Sequence, residues 1–390
     1  MAEWISKTLG ELTSFISKGI PPKYVDEENE NTIRVLNQKC NRNFEISYNE
    51  SRIHNAAVKK VPENKLLHSG DVLINSTGTG TAGRVAQIFN IPMPTTVDGH
   101  MILLRPTKEI DPLYYGYVIK SYQKKIESLA EGSTGQTEIN RQRLQDEIYI
   151  TFPKDRALQK EIGTFLFQID EKIKNNSEIN NNLEQQAQAI YQQMFIDNAS
   201  SDWTEGTLSD IADITMGQSP SGSSYNEDGN GTIFFQGRAE FGFRFPTVRL
   251  YTTEPKRMAC ANDTLMSVRA PVGDLNVAHT DCCIGRGLAA IHSKSNHQSF
   301  VLYTMFSLKK QLDVFNGEGT VFGSINRNSL NDMPILIPSD DILDEFERIV
   351  APMDLTIRNN YDENCRLQDI RDTLLPRLMS GELDVSDIDL

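Results

Sequence analysis

The stretch ALQKEIGTFLFQIDEKIKNNSEINNNLEQQAQAIYQQMFID, residues 157–197, decides the architecture. It holds no proline and a single glycine, Gly163, and is rich in Glu, Gln, Lys, Ala and Leu. Those residues lose little side-chain freedom in a helix. Its apolar positions fall in a heptad register. Ile162, Ile169, Asn176, Leu183 and Ile190 make one seam, and Leu166, Ile173, Asn180, Ala187 and Met194 the other. A period of 3.5 held over this length predicts one long coiled-coil helix. At 1.5 Å per residue it spans about 60 Å.

The same helix returns toward the C-terminus. Shifted by 184 positions, the first seam reads Phe346, Met353, Asn360, Leu367 and Leu374, and the second Val350, Ile357, Asn364, Arg371 and Leu378. The polar pair Asn176 and Asn180 lands on Asn360 and Asn364. Polar residues at seam positions cost stability and specify register and partner. Two copies with the same polar interruption are therefore expected to pair with each other. The pairing seam is expected at Ile169, Ile173, Asn176, Asn180, Leu183, Met353, Ile357, Asn360, Asn364 and Leu367. Pro352 is expected to kink the second copy and Pro376 to end its seam.

The repeat extends beyond the helices. Trp4-x-x-x-Thr8-Leu9 returns as Trp203-x-x-x-Thr207-Leu208, and Gly19-Ile-Pro-Pro22 as Gly217-Gln-Ser-Pro220. SGDVLINSTG (69–78) matches ANDTLMSVRA (261–270). Asp98-Gly99-His100 aligns with Arg286-Gly287-Leu288, Leu113–Val118 with Val301–Phe306, and Ile139-Asn140-Arg141 with Ile325-Asn326-Arg327. Each unit closes with a strand-like run to a proline, IYITFP (148–153) and MPILIP (333–338), and enters its helix. Short alternating runs between Gly, Asn and Pro turn signals make each globular unit mixed and mostly β, with short helices near 112–130 and 297–315. The expected fold class is α+β, a tandem repeat of globular domain and long helix, the two helices pairing as an antiparallel coiled coil. The expected boundaries are 1–155, 156–199, 200–340 and 341–381, followed by an acidic tail at 382–390, with disorder expected over SGELDVSDIDL (380–390).

The formal net charge of −14 is unevenly placed. Residues 341–390 hold 13 acids against 5 arginines, whereas 1–155 balance at 19 against 19. Whole-chain acidity does not exclude DNA, because the useful field is local. Acids on the second helix, Asp341, Asp344, Glu345, Glu347, Asp362, Glu363 and Asp369, are a candidate partner-docking face or simply a solvated one. Five cysteines without C-x-x-C spacing and six histidines without an H-x-x-x-H pair argue against a disulfide framework or a metal site. The sequence holds no apolar run long enough for a membrane span, and the reading is a cytoplasmic protein without membrane partners.

Gly78-Thr-Gly80-Thr-Ala-Gly83 fits G-x-G-x-x-G, but a β-rich run broken by Pro92 and Pro94 follows where a dinucleotide site needs a helix. The expectation is a turn. No P-loop, H-E-x-x-H, G-x-S-x-G or N-P-P-Y-type motif is present, so no catalytic residue is assigned. What remains is a binding apparatus of basic loop residues among Asn, Gln, Ser, Thr and aromatics. Arg pairs bidentately with guanine O6/N7, and Lys mostly meets phosphate. The residues expected to face DNA are Arg34, Arg42, Arg52, Lys59, Lys60 and Arg84 in the first unit, and Arg238, Arg244, Arg249, Arg269 and Arg286 in the second. Lys39, Lys256 and Arg257 lie among them.

With these features in place, the chain resembles a type I restriction-modification specificity subunit over nearly its whole length. The order unit–helix–unit–helix, the Trp4 and Trp203 starts, and the closing LLPRLMSGELDV (374–385) carry the resemblance. It implies that each globular unit is a target recognition domain reading one half of a bipartite site in double-stranded DNA. It also implies that the helices set the spacer and dock two modification subunits, with a separate restriction or motor subunit. S-adenosylmethionine, ATP and Mg would then belong to those partners, and this chain would hold no cofactor of its own. The alternatives are a coiled-coil scaffold whose heads bind protein or glycan, and a fused enzyme, for which no cofactor signature is found.

Overall fold

Asp155 starts the first long helix: its carboxylate accepts from the amide of Ala157 at 2.9 Å, filling a donor that a helix start leaves open. In the computed structural model, which describes residues 3–132, 137–317 and 323–388, this helix, α1, runs Arg156–Tyr191. It ends in a π-helical turn, Gln192–Asp197. The second long helix, α2, runs Asp340–Ser380. Helical structure continues through both Pro352 and Pro376, so Pro376 does not end it. Leu378 and Met379 beyond that proline are buried, and their packing holds the last turn.

The chain divides into two units, 1–175 with 363–390, and 176–362. Besides two short antiparallel pairs, Asn41–Arg42 with Glu45–Ile46 and Ala130–Glu131 with Glu138–Ile139, the strands of the first are β1 (Trp4–Thr8), β2 (Thr13–Lys18), β3 (Tyr24–Val25), β4 (Thr32–Leu36), β5 (Arg52–Asn55), β6 (Val72–Asn75), β7 (Val85–Gln87), β8 (Thr95–Val97), β9 (Met101–Pro106) and β10 (Tyr149–Pro153). Those of the second are β11 (Thr204–Thr207), β12 (Ala212–Met216), β13 (Tyr225–Asn226), β14 (Thr232–Phe235), β15 (Leu250–Thr252), β16 (Met258–Ala259), β17 (Thr264–Ser267), β18 (Leu275–Val277), β19 (Cys282–Ile284), β20 (Leu288–Ser293) and β21 (Pro334–Ile337).

The topology of the first unit is repeated in the second. One sheet has the order β2-β9-β6-β7, matched by β12-β20-β17-β18. The other has the order β8-β4-β5-β3, matched by β19-β14-β15-β13 with β16 added outside β19. In each, one pair is parallel, β4 with β8 and β14 with β19. The first and last strands form a two-stranded antiparallel ribbon, β1 with β10 and β11 with β21.

The repeated motifs mark places where this topology is demanding. Thr8 and Glu11 form a reciprocal cap on the turn Leu9–Leu12, and Thr207 with Asp210 does so on Leu208–Ile211, two amide donors satisfied per cap. Asn140 and Asn326 each cap the short helix that follows. A Cβ at Gly19 would lie 2.1 Å from the carbonyl oxygens of Val97 and Asp98, and one at Gly217 would lie 2.2 Å from that of Gly285. Only glycine permits so close a backbone approach. The loop Gly78–Gly83 leads into strand β7, with no helix behind it, so the G-x-G-x-x-G is a turn.

Within unit 1, α1 and α2 run antiparallel: Asn364 Nδ2 donates to Ile173 O at 3.2 Å, and Arg371 Nη1 to Asp170 Oδ1 at 2.6 Å. Ile169 is buried there, with Ile173 and Leu367 packed against the same core. Within unit 2 the pairing is also antiparallel: Asn180 Nδ2 donates to Ile357 O at 3.2 Å, and Asn360 Nδ2 to Asn180 Oδ1 at 2.8 Å. Asn176 and Ile357 are buried, and Leu183 and Met353 pack against that unit's core.

The C-terminal segment corrects the expectation of disorder at 380–390 as far as residue 388. Leu383, Val385 and Ile388 pack against the core of unit 1, and Val385–Asp387 form a 3-10 turn. A Cβ on Gly381 would come within 2.6 Å of the Trp4 ring. Apolar residues at every second or third position let an acidic segment bury one face. Residues 389 and 390 lie outside the described residues.

Candidate nucleic-acid interface

Backbone hydrogen bonds align the loop corners of the two units residue by residue. Ser76 N donates to His100 O, and Val268 N to Gly287 O, at 2.8 and 2.9 Å. Asp98 N donates to Leu36 O, and Gly285 N to Phe235 O, at 2.9 and 2.8 Å. The isolated bridges Thr77 to Glu138 and Arg269 to Ser324 also correspond. Thr77 is therefore the counterpart of Arg269 and Gly99 of Arg286, while the 3-10 turns Gln38–Cys40 and Arg238–Glu240 align Gln38 with Arg238 and place Lys39 one position further along its turn. This corrects the sequence alignment at Asp98-Gly99-His100 by one residue, because hydrogen bonding fixes a register that three weakly similar letters do not.

In unit 2 this corner is a cleft of about 230 Å³ lined by Ser219, Gln236, Gly237, Arg238, Ser267, Arg269, Ala270, Arg286 and Gly287. Three of the arginines picked out in the sequence thus converge, from loops up to 48 positions apart in the chain. All three are exposed. Arg238 pairs with Asp274, whose other oxygen meets Lys309 Nζ at 3.2 Å. Among the described residues no carboxylate lies within ion-pair distance of Arg269 or Arg286. At the corresponding corner of unit 1, Thr77 Oγ1 and His100 Nδ1 are 2.8 Å apart, Asn37 Oδ1 accepts from Lys39 N at 2.8 Å, and Lys39 is exposed.

The other basic residues are dispersed. Arg34 pairs with Glu28 beside a second cleft, of about 390 Å³, on unit 1. The Arg52 guanidinium stacks 3.5 Å from the centroid of the Tyr24 ring. Arg42 is exposed on the hairpin formed by Asn41–Arg42 and Glu45–Ile46. Lys59 and Lys60 are exposed, with Lys59 Nζ donating to Pro21 O at 3.2 Å. Arg84 is half-buried and donates to Gly80 O at 3.1 Å. Arg249 pairs with the buried Glu240 at 2.5 Å. These residues do not join the cleft of unit 2.

Arg244 must be withdrawn from the DNA face. It is 4% exposed, with Nη2 3.0 Å from Glu184 Oε2 and Nη1 3.2 Å from Asp354 Oδ1. Its Nη2 also donates to the Tyr303 hydroxyl at 3.1 Å. The Glu184 contact is close without being aligned as a hydrogen bond, and Nε has no partner. A buried charge is retained only when paired, and here the pairing holds a loop of the globular domain to both helices of its own unit.

A second arrangement, absent from the sequence reading, occurs once in each unit. Tyr117 on the short helix Pro112–Ser121 donates to Asp170 Oδ2 at 2.6 Å, and Tyr303 on Gln298–Ser307 donates to Asp354 Oδ1 at 2.8 Å. Burial, with the neighbouring carboxylate, pushes both phenols well above their ordinary range, so each stays a donor. The helix caps Asp111 and His297 align these helices two residues away from the sequence match, placing Tyr117 on Tyr303. The available signal was Asp170 recurring as Asp354 at the helix offset.

The acidic face of α2 is partly spent within the fold. Asp344 pairs with His297 at 3.0 Å, Asp362 with His279 at 2.6 Å and Glu363 with Lys172 at 3.1 Å. Glu347 accepts from Phe300 N at 2.9 Å. Asp341, Glu345 and Asp369 are exposed. No helix among the described residues is long and apolar enough to cross a membrane, and those residues contain no group of three potential metal ligands.

A duplicated mixed-β domain on paired helices, carrying differently charged loop corners, defines a two-headed binding scaffold. The chain belongs to the type I restriction modification DNA specificity domain family, whose model matches residues 1–185 and again 200–361. It is 30% identical over 340 residues to a protein of Methanocaldococcus jannaschii named as a candidate type I restriction enzyme MjaX specificity subunit. That match covers 81% of this chain and 79% of the relative. The MjaIX specificity subunit of the same organism is 25% identical, with 99% of this chain and 95% of the relative covered. In fold, the chain is similar to the crystal structure of a type I restriction-modification S subunit from M. genitalium. The TM-score is 0.64 at 18% identity, covering 97% of this chain and 96% of that one.

Proposed function

We propose that this chain is the non-catalytic DNA-reading subunit of a type I restriction-modification complex, acting in the cytoplasm. Each globular domain reads one half of a bipartite, asymmetric site. The paired helices set the unread spacer and dock two modification subunits. Adenine methylation with S-adenosylmethionine, and cleavage driven by ATP with Mg by a restriction subunit, belong to those partners. The observation that carries this reading is the repeat itself: one backbone framework, fixed by matching hydrogen bonds, presents three arginines at one corner and Lys39, Thr77 and Gly99 at the other. Two heads that share a backbone framework and differ in hydrogen-bonding groups suit two unlike half-sites. An acidic chain binds the phosphate backbone weakly by itself, so partners supply much of that contact.

The experiment is a genome-wide map of methylated adenines with and without this chain, the modification subunit being present and active in both. Loss of one bipartite, asymmetric motif on deletion supports the reading. An unchanged map refutes it.

A further inference from the structure

Resting on that specificity reading, the cleft of unit 2 carries a narrower assignment. We propose that Arg269 and Arg286 read guanine edges in the major groove of the half-site recognised by unit 2, while Arg238 holds the phosphate backbone. The division follows from comparing the two corners. A contact that sets register on DNA serves both heads alike, because the backbone is the same at each half-site, whereas a contact that reads sequence differs between unlike halves. A cation in the 3-10 turn at this corner is shared, as Arg238 in one unit and, one position further along the turn, Lys39 in the other. Those at 269 and 286 are not, their counterparts being the uncharged Thr77 and Gly99.

The side-chain chemistry agrees. Guanine presents two adjacent acceptors, O6 and N7, which the planar guanidinium fork meets with two parallel hydrogen bonds in a fixed plane, where an ammonium on its flexible stem fixes no plane. Among the described residues neither fork is occupied by a carboxylate. Both residues stand on backbone fixed by the sheets. Arg269 bridges to Ser324, and its neighbour Ala270 N donates to Gly323 O at 3.0 Å. Arg286 N donates to Ser219 Oγ at 3.2 Å and lies between Gly285 and Gly287, which are bonded to Phe235 O and Gln236 O. Base readout needs such fixed placement.

The test is the methylation map of cells in which the full chain, assembled with its modification partner, carries Arg269→Lys, Arg286→Lys or Arg238→Lys. Lysine keeps the charge and removes the fork. Arg269→Lys and Arg286→Lys are each expected to lower discrimination for guanine at one position of one half-site, on the order of ten- to a hundred-fold. The other half-site and the spacer stay as they are. Arg238→Lys is expected to leave the motif intact, and Arg238→Ala to lower methylation at all sites alike. An intact motif in both Arg269→Lys and Arg286→Lys overturns the assignment. So does loss of all methylation in those variants when gel filtration shows the assembled complex. A wild-type map with no motif dependent on this chain overturns the specificity reading, and this assignment with it.

Discussion

Arg244 sits between Glu184 and Asp354 with almost no access to water. Removing its guanidinium takes the cation from Glu184 and leaves Asp354 the Tyr303 hydroxyl, and breaking a buried pair costs about 3–5 kcal/mol. Arg244→Ala is therefore expected to lower the urea midpoint of unfolding by a correspondingly large amount. A variant as stable as the parent would show that the carboxylates find other partners. Lys120 is the opposite case. Its Nζ is buried without a hydrogen-bond partner, 4.2 Å from the Phe44 ring centroid and 3.8 Å from Asp170. Burial pushes its pKa down to about 8, and Asp170 pulls the other way. A lysine lowered on folding binds fewer protons in the native state, so its penalty is full below about pH 8 and is relieved as pH rises toward the ordinary lysine value. Lys120→Met is expected to gain about 3 kcal/mol at pH 7, with the gain shrinking by pH 10. Denaturation curves at the two pH values measure this; an equal gain at both would remove the charge from the explanation.

At the level of the element, the long helices were legible because a heptad is a local pattern that burial then enforces. The asparagines at the seams bond across the helix pair in both units, Asn180 to Ile357 O and Asn364 to Ile173 O. Asn180→Ala alone leaves Asn360 Nδ2 without its acceptor and is expected to cost about 1–3 kcal/mol. Asn180→Leu with Asn360→Leu is expected to cost less than the two singles summed, since no donor is then stranded. A double-mutant cycle decides, and additivity would deny the coupling. The Tyr–Asp anchors were not legible. An aspartate on the polar side of a heptad reads as solvated, and only the fold shows a tyrosine donating to it from another helix. Arg244 was misread for a related reason: in FGFRFP (241–246) its neighbours suggest a loop, while its partners lie 60 and 110 positions away. Three of the five arginines chosen in unit 2 do converge. Arg238 and Arg269 follow short apolar runs, TIFF (232–235) and TLMS (264–267), that end at turn signals, so loop position could be inferred even though the cleft could not.

For the whole molecule, the repeat of helix and domain was legible from end to end, but the register between the copies needed the hydrogen bonds of the sheets. If the helices set the spacer, deleting one heptad from each shortens them by about 10 Å, close to three base pairs at 3.4 Å each. The methylated motif is then expected to keep both halves and to lose about three base pairs between them. An unaltered spacer would refute the helices as its determinant. The ribbons β1 with β10 and β11 with β21 bring the entry and exit of each domain side by side, with Thr8 opposite Tyr149 and Thr207 opposite Pro334. A change of chain length in a surface loop between those pairs is therefore expected to leave the start of the helix that follows in place, because entry and exit stay side by side.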